Sequence, residues 1–430
     1  MRIIIALIVL DIVVCIHELG HFLLARASGI TVEEFSIGMG PRLFSLGKKG
    51  TKYSFRVFPI GGSCAMKGED EDDDSKGSFQ AAAVWQRMLV VLAGPFFNFI
   101  LAFAAALVII GIIGADPAKV TSVEEGSGAY EAGLQEGDII VRFNGNSIAN
   151  GREIYMVTQL DGVDERDIRL TVKRDGKKEK LTFAPVITKR YMAGYYYTPD
   201  SDIAEITGVV EGGAMEAAGF QTGDIITAVN GTEISSGRDL EQYWTDHPMD
   251  GTPLTFSYRR QGIPYKAEVT PVIDSQVSGG FTYNLAREKQ GFFSSAGYGF
   301  GEVQNWIRIT VKSLASLFKG KFSVRDLSGP IGIVTTIGEV YEEAKEEGGM
   351  GDAMLNLLNM GVLLSANLGV MNLLPFPALD GGRFLFLAIA AIRRKPVSQR
   401  VEGAFHYAGF ILLMALAVFI AVSDVVKLVG

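Results

Sequence analysis

Four stretches of the chain are almost free of charge: 3–25, 88–113, 354–379 and 404–422. A helix rising about 1.5 Å per residue needs roughly 20 residues to cross a hydrocarbon core of about 30 Å. The pattern therefore predicts four membrane-spanning helices. Between the first two, over 27–87, short strand-like pieces turn at Gly38, Gly40, Gly61 and Gly62. They predict a β-hairpin segment lying against the membrane or dipping into it. A third pattern fills the long polar stretch that follows. Ala132-Gly133-Leu134-x-x-Gly137-Asp138-Ile139-Ile140, then Asn144-Gly145, recurs as Ala218-Gly219-Phe220-x-x-Gly223-Asp224-Ile225-Ile226, then Asn230-Gly231, with a constant offset of 86 residues. Each copy predicts a short helix closed by glycine, a turn, a strand and a tight Asn-Gly hairpin turn. From 290 to 350, aromatic and apolar residues at helical spacing predict amphipathic helices on the membrane surface. Ser328-Gly329-Pro330-Ile331-Gly332 breaks that stretch.

Composition agrees with membrane spans attached to a soluble portion: 48% of the 430 residues are hydrophobic and 20% are charged. A net charge of −8 argues against a nucleic-acid surface. Part of that acidity is local, in the run 69–74, which reads as a solvated loop or a weak attractor of metal ions. Two cysteines, Cys15 and Cys64, make no disulfide framework. Basic residues cluster between the first and second spans and, from Arg383 to Arg400, between the third and fourth. The positive-inside rule places both connections in the cytoplasm. Both termini and the large middle section then lie outside. No transit-peptide composition precedes the first span, so a bacterial plasma membrane is the simplest address.

The chemistry starts in the first span, at His17-Glu18-Leu19-Gly20-His21. Imidazoles four residues apart share a helix face and suit two ligands of a tetrahedral zinc. Glu18, beside the first, is placed to take a proton from a water at the metal. Ionisable groups at such depth are costly and functional by default. Asp11, on much the same face, either points into the bundle or snorkels. A secretory signal peptide is a rival reading, because Ala25-Arg26-Ala27 resembles a cleavage site. The third span ends in Asn372-Leu373-Leu374-Pro375-Phe376-Pro377-Ala378-Leu379-Asp380-Gly381-Gly382. Asp380 there supplies the third protein ligand that a catalytic zinc needs, with a fourth position left for water. Both spans end on the cytoplasmic side, so His17, His21 and Asp380 can meet at one depth. A cleaved leader would not share its topology and depth with such a partner.

HELGH, Gly94-Pro95-x-x-Asn98-Phe99, the SGPIG loop and NLLPFPALDGG together resemble the site-2 protease family of intramembrane zinc metalloproteases, peptidase family M50. The order of elements is similar to the regulator-of-sigma-E protease branch, with two PDZ domains between spans two and three. The first-loop Met66-Lys67-Gly68-Glu69-Asp70 looks more like relatives in Gram-positive bacteria. The resemblance implies a polytopic α-helical membrane protein with two inserted α+β PDZ domains and a membrane-associated β-hairpin. Its parts are 1–26 (first span), 27–87 (hairpins), 88–114 (second span), 117–188 and 203–273 (PDZ domains), 290–350 (surface helices), 354–382 (third span) and 404–423 (fourth span). It implies Zn2+ as cofactor, Glu18 as catalytic base, and single-span membrane proteins as substrates, already trimmed by another protease. Substrate backbone is expected to meet the hairpin at Gly61 and Gly62 and the side chains of Asn372 and Asn98. The alternatives are a non-proteolytic PDZ scaffold and a peripheral protease with a membrane anchor.

Overall fold

The computed structural model describes residues 2–47, 50–69, 73–161, 166–320, 329–395 and 397–429. Lys48 and Lys49, residues 70–72 of the acidic run, and Ser328 of the SGPIG segment lie outside the described residues. The chain divides into two compact units. One comprises Met1–Ala118, Ser147–Met156 and Asn284–Gly430; the other comprises Lys119–Asn146 and Val157–Tyr283.

Four helices of the first unit have the length and composition to cross a membrane: α1 (Arg2–Ala27), α2 (Val84–Ile113), α8 (Pro330–Asn372) and α10 (Gln399–Val429). The chain is a multi-pass membrane protein. Small residues set how closely these helices approach. A Cβ on Gly20 would stand 2.4 Å from the Ala93 carbonyl oxygen, so α1 and α2 touch backbone to backbone. On α8, a Cβ at Gly369 would stand 2.7 Å from the Phe99 ring, and Ser365 Oγ donates to the Asn98 carbonyl at 2.8 Å. Gly349 bends α8 with φ 78, ψ −168, so the acidic stretch and the third span form one kinked element. The bend precedes the apolar part. At its start, buried Asp424 of α10 accepts from the Gly329 and Gly332 N–H groups at 3.2 and 2.9 Å. A carboxylate suits a helix N-terminus, and a Cβ on Gly329 would lie 2.6 Å from its oxygen.

The third span stops earlier than its hydropathy indicates. α8 ends at Asn372, and Asp380 opens a further helix, α9 (Asp380–Arg393), rather than closing the span. Pro375 and Pro377 cannot continue a helical hydrogen-bond ladder. The loop then folds back on α9, with Ala378 at φ 68. Cβ atoms on Gly381 and Gly382 would stand 2.2 and 2.3 Å from the carbonyl oxygens of Leu374 and Phe376. That is why two glycines follow the aspartate.

Between α1 and α2 run β1 (Val32–Leu46) and β2 (Lys52–Met66). Both strands fold at glycines with positive φ, Gly38, Gly40 and Gly61. Residues 34–37 are consequently flanked by 62–65 on one side and 52–55 on the other. The base of this sheet packs through Val32, Cys64 and Met66 against Phe22, Val90 and Leu387 of the helices. The amphipathic stretch beginning near 290 forms one helix, α7 (Phe292–Phe318), with Phe292 and Phe293 exposed at its start.

The second unit holds the repeat except for Ser147–Met156 of the first copy, which belongs to the first unit. The first copy runs β3 (Val120–Val123), α3 (Gly128–Glu131), β4 (Ile139–Phe143), β5 (Asn146–Ser147), α4 (Gly151–Asp161), β6 (Ile168–Arg174) and β7 (Lys177–Phe183). After β8 (Val186–Met192) and β9 (Tyr195–Tyr197), the second copy runs β10 (Ile206–Val209), α5 (Ala214–Ala217), β11 (Ile225–Val229), β12 (Thr232–Glu233), α6 (Gly237–Asp246), β13 (Leu254–Arg260) and β14 (Ile263–Val269). Their sheets share one order, β5-β4-β6-β7 and β12-β11-β13-β14. Each turns at an Asn-Gly pair with positive φ and locks an aspartate with an arginine, Asp138 to Arg174 and Asp224 to Arg260.

The copies are nested. β3 pairs with β16 (Phe281–Tyr283), beyond the end of the second copy, while β10 pairs with β9. β8 pairs with β15 (Val272–Ser278). The strands that complete the two copies thus lie outside 117–188 and 203–273.

Candidate metal centre

His17 and His21 project from α1 one turn apart, and Asp380 reaches them from the first turn of α9. His17 Nε2 and His21 Nε2 lie 3.1 and 3.4 Å from Asp380 Oδ2, and 3.2 Å from each other. A tetrahedral zinc with bonds of about 2.0–2.1 Å spaces its ligand atoms roughly 3.3–3.4 Å apart. The three atoms match that spacing. Both histidines are buried, and the Asp380 Oδ2 atom is buried with no hydrogen-bond donor among the described residues. Two imidazole lone pairs and a carboxylate oxygen repel one another unless a cation lies among them. The donor set is that of a zinc site.

The surroundings fix the tautomers. His21 Nδ1–H donates to the Val90 carbonyl at 2.8 Å, which leaves Nε2 free to bind a metal. His17 Nδ1 faces the Asn98 side-chain amide at 3.1 Å. The oxygen and nitrogen of an amide exchange places by a half-turn. With Asn98 Oδ1 turned toward His17, an oxygen otherwise buried without a partner accepts the Nδ1–H. Both Nε2 lone pairs then point toward Asp380. A further device is a missing side chain. A Cβ on Gly94 of α2 would stand 2.3 Å from His21 Nε2 and 2.7 Å from His17 Cε1. The helix offers bare backbone where the imidazoles converge.

The eight residues named from sequence do not all come together. His17, His21 and Asp380 come together. Half-buried Glu18 lies against the strand that carries Gly62, whose Cβ would be 3.2 Å from Glu18 Cγ. Gly61 bends that strand beside Met39, and Asn372 ends α8. Among the described residues the Asn372 amide makes no hydrogen bond to the triad. Asn98, expected to touch substrate, is fully buried beneath His17 and is better placed to orient that ring. Val90 leaves no mark in the sequence because it acts through its carbonyl. Gly94 is visible there only as part of a motif. The loop before Asp380 is steadied from α10, where His406 Nδ1 accepts the Ala378 N–H at 2.9 Å. From α9, Arg383 pairs with Glu69.

Comparison with known proteins gives the family. The description "Peptidase family M50" matches residues 5–416. The chain belongs to peptidase family M50. Zinc metalloprotease RasP of Geobacillus kaustophilus is 31% identical over 438 residues, covering 98% of this chain and 97% of the relative. Putative zinc metalloprotease FN1322 of Fusobacterium nucleatum is 31% identical, over 100% and 99%. The regulator of sigma-W protease RasP of Bacillus subtilis is 28% identical, over 98% and 97%. As an M50 member this chain is a zinc metalloprotease of the site-2 type. Among solved structures, an HtrA3 PDZ domain bound to a phage-derived ligand covers 22% of this chain and 95% of its own at 21% identity. Its TM-score of 0.18 is too low to carry a fold assignment.

Proposed function

We propose that this M50 protease cuts peptide bonds within the membrane segments of single-span proteins, using one Zn2+ held by His17, His21 and Asp380. The observation that carries the reading is the convergence of two buried histidines, on a helix of membrane-crossing character, with the half-buried Asp380 at the start of α9, and a further carboxylate, Glu18, beside the first histidine. Zinc, when bound, supplies Lewis acidity, acidifying a water to a pKa of about 7 and polarising the scissile carbonyl. Glu18 takes the proton of the attacking water and delivers it to the leaving amide nitrogen. Val90 and Asn98 hold the imidazoles in the metal-binding tautomer. A substrate helix satisfies its own backbone, so it must unwind before attack. The edge at 61–66 can receive the unwound stretch as an added strand, because 62–65 has a strand partner on one side. Gly62, lacking a side chain, lets that strand approach Glu18, and Asn372 adds a polar contact.

By the positive-inside rule, the basic connections support a centre near the cytoplasmic face of a bacterial plasma membrane, with the repeats outside. We read the repeats as PDZ domains on their matching elements and turns, gating entry of substrates that another protease has trimmed. Anti-sigma factors and signal-peptide remnants are substrates of this chemistry. A non-proteolytic scaffold would have no use for a metal set completed from α9. Zinc analysis of the purified chain with a cleavage assay tests the proposal. One zinc per chain is expected. Asp380→Ala should lose metal and cleavage, and Glu18→Gln should keep the metal and lose cleavage. Full activity in Glu18→Gln would end the reading.

A further inference from the structure

Ser147–Met156 belongs to the first compact unit but is continuous at both ends with the second. Its polar side chains meet a buried ionic cluster on α7. Glu302 accepts from Asn150 Nδ2 at 2.7 Å, Arg152 Nη2 at 3.2 Å and Trp306 Nε1 at 3.2 Å. Arg152 Nε also donates to Asp116 at 2.7 Å, and Arg287 lines the same small cavity of about 10 Å³. Glu153 is the exception. It is 1% exposed, and its Oε2 accepts from the Ala149 N–H at 3.1 Å and Arg308 Nη2 at 3.0 Å. Among the described residues, its Oε1 is buried with no donor. Arg308 is shared, since it also donates to the Ser147 carbonyl at 2.6 Å and to Asn305 Oδ1 at 2.8 Å. A buried carboxylate with one bare oxygen is poorly solvated when ionised, and a proton on that oxygen removes the penalty.

We propose that Glu153 is a proton-binding latch: protonated while Ser147–Met156 is seated on α7, and ionised when the segment is released to water. The charged groups around it are Arg308 and Glu302 on α7, Arg152 on its own helix, and Asp116 and Arg287 beyond them. Burial pushes its carboxyl up to about 7, against the Ala149 N–H and Arg308, which pull it down; Glu302 adds to the rise. An ordinary glutamate titrates near 4.5. Between those values the seated state holds a proton that the released state has lost. Seating is therefore strongest in acid, weakens as pH rises toward 7, and levels off above it.

Hydrogen exchange of amides 147–156 in the full-length, zinc-loaded chain, corrected for the intrinsic rate, tests the latch. Protection should fall by about 30-fold between pH 5.5 and pH 8.5, at one decade per pH unit below a limit near 7. Glu153→Gln, neutral throughout, should remain protected and lose the pH step. Arg308→Met removes the group that holds the carboxyl down, so its step should move to higher pH. A flat wild-type profile, or a step retained in Glu153→Gln, overturns the proposal. If Glu153→Gln does not fold, Arg308→Met decides, and an unmoved step in that variant overturns it equally.

Discussion

Gly94→Ala tests whether the metal cradle depends on bare backbone. The added methyl carbon would stand 2.3 Å from His21 Nε2, whereas ordinary contact begins at 3.4 Å, a deficit of 3.4 − 2.3 = 1.1 Å. The imidazole cannot simply retreat, because Val90 anchors its Nδ1 and Gly20 holds α1 against α2. A ligand displaced by about 1 Å is outside the roughly 0.2 Å tolerance of a metal site. Overpacking of this kind costs about 1–3 kcal/mol, and about 1.4 kcal/mol is one decade in affinity. Zinc affinity should therefore fall by roughly 10- to 100-fold, and cleavage at limiting zinc should fall with it. Gly111→Ala, in the same helix, is the control. Nothing lies within 4 Å of a Cβ there, so it should bind zinc normally and gain up to about 1 kcal/mol of stability. Zinc per chain, measured by competition with a chelator of known affinity, reads both variants. A Gly94→Ala protein with wild-type zinc affinity would refute the geometry.

Asp424→Ala should lower the unfolding temperature, since it strips the cap from α8 at a cost of about 1–2 kcal/mol and leaves two amides unpaired; Asp424→Asn should cost less. Asp224→Asn should destabilise the second repeat locally, seen as earlier proteolysis of that region. Burial alone would raise the Asp224 carboxyl, but Arg260 and the Gln221 N–H outweigh it and hold it below its usual range. Its contribution is therefore present at neutral pH and should be lost below about pH 4. Replacing 119–146 and 157–283 by flexible linkers, with 147–156 kept, should leave an insertable chain that still binds zinc. Removing 117–273 strands β16 without β3 and should give more aggregation on size-exclusion chromatography.

The four spans were legible because long uncharged runs have few other uses, and the pentad because two histidines one turn apart inside such a run are expensive. Asp380 was legible as a partner of the two histidines but not in its setting. Leu373, Leu374, Phe376 and Leu379 read as continued hydrocarbon, and only the chain reversal around Pro375, Pro377 and Ala378 shows that the aspartate opens α9. The repeat showed each copy's turns, since those are local. The pairing of β3 with β16 joins residues about 160 positions apart, which no local periodicity records. Asn98 was visible as a polar residue in an apolar helix; its burial beneath His17 depends on how α1 meets α2. Gly94 and Gly20 stayed silent for a related reason, because a glycine marks a close approach without naming its partner.

The most direct test of the central claim is the position of the cut. The chain, reconstituted with zinc in lipid vesicles, would be given a pre-trimmed single-span substrate, and the products' new termini mapped by mass spectrometry. The account predicts a scissile bond inside the substrate's apolar segment, toward its cytoplasmic end, and no product from Glu18→Gln. Cleavage confined to residues outside that segment, or the same cut made by Glu18→Gln, would contradict it.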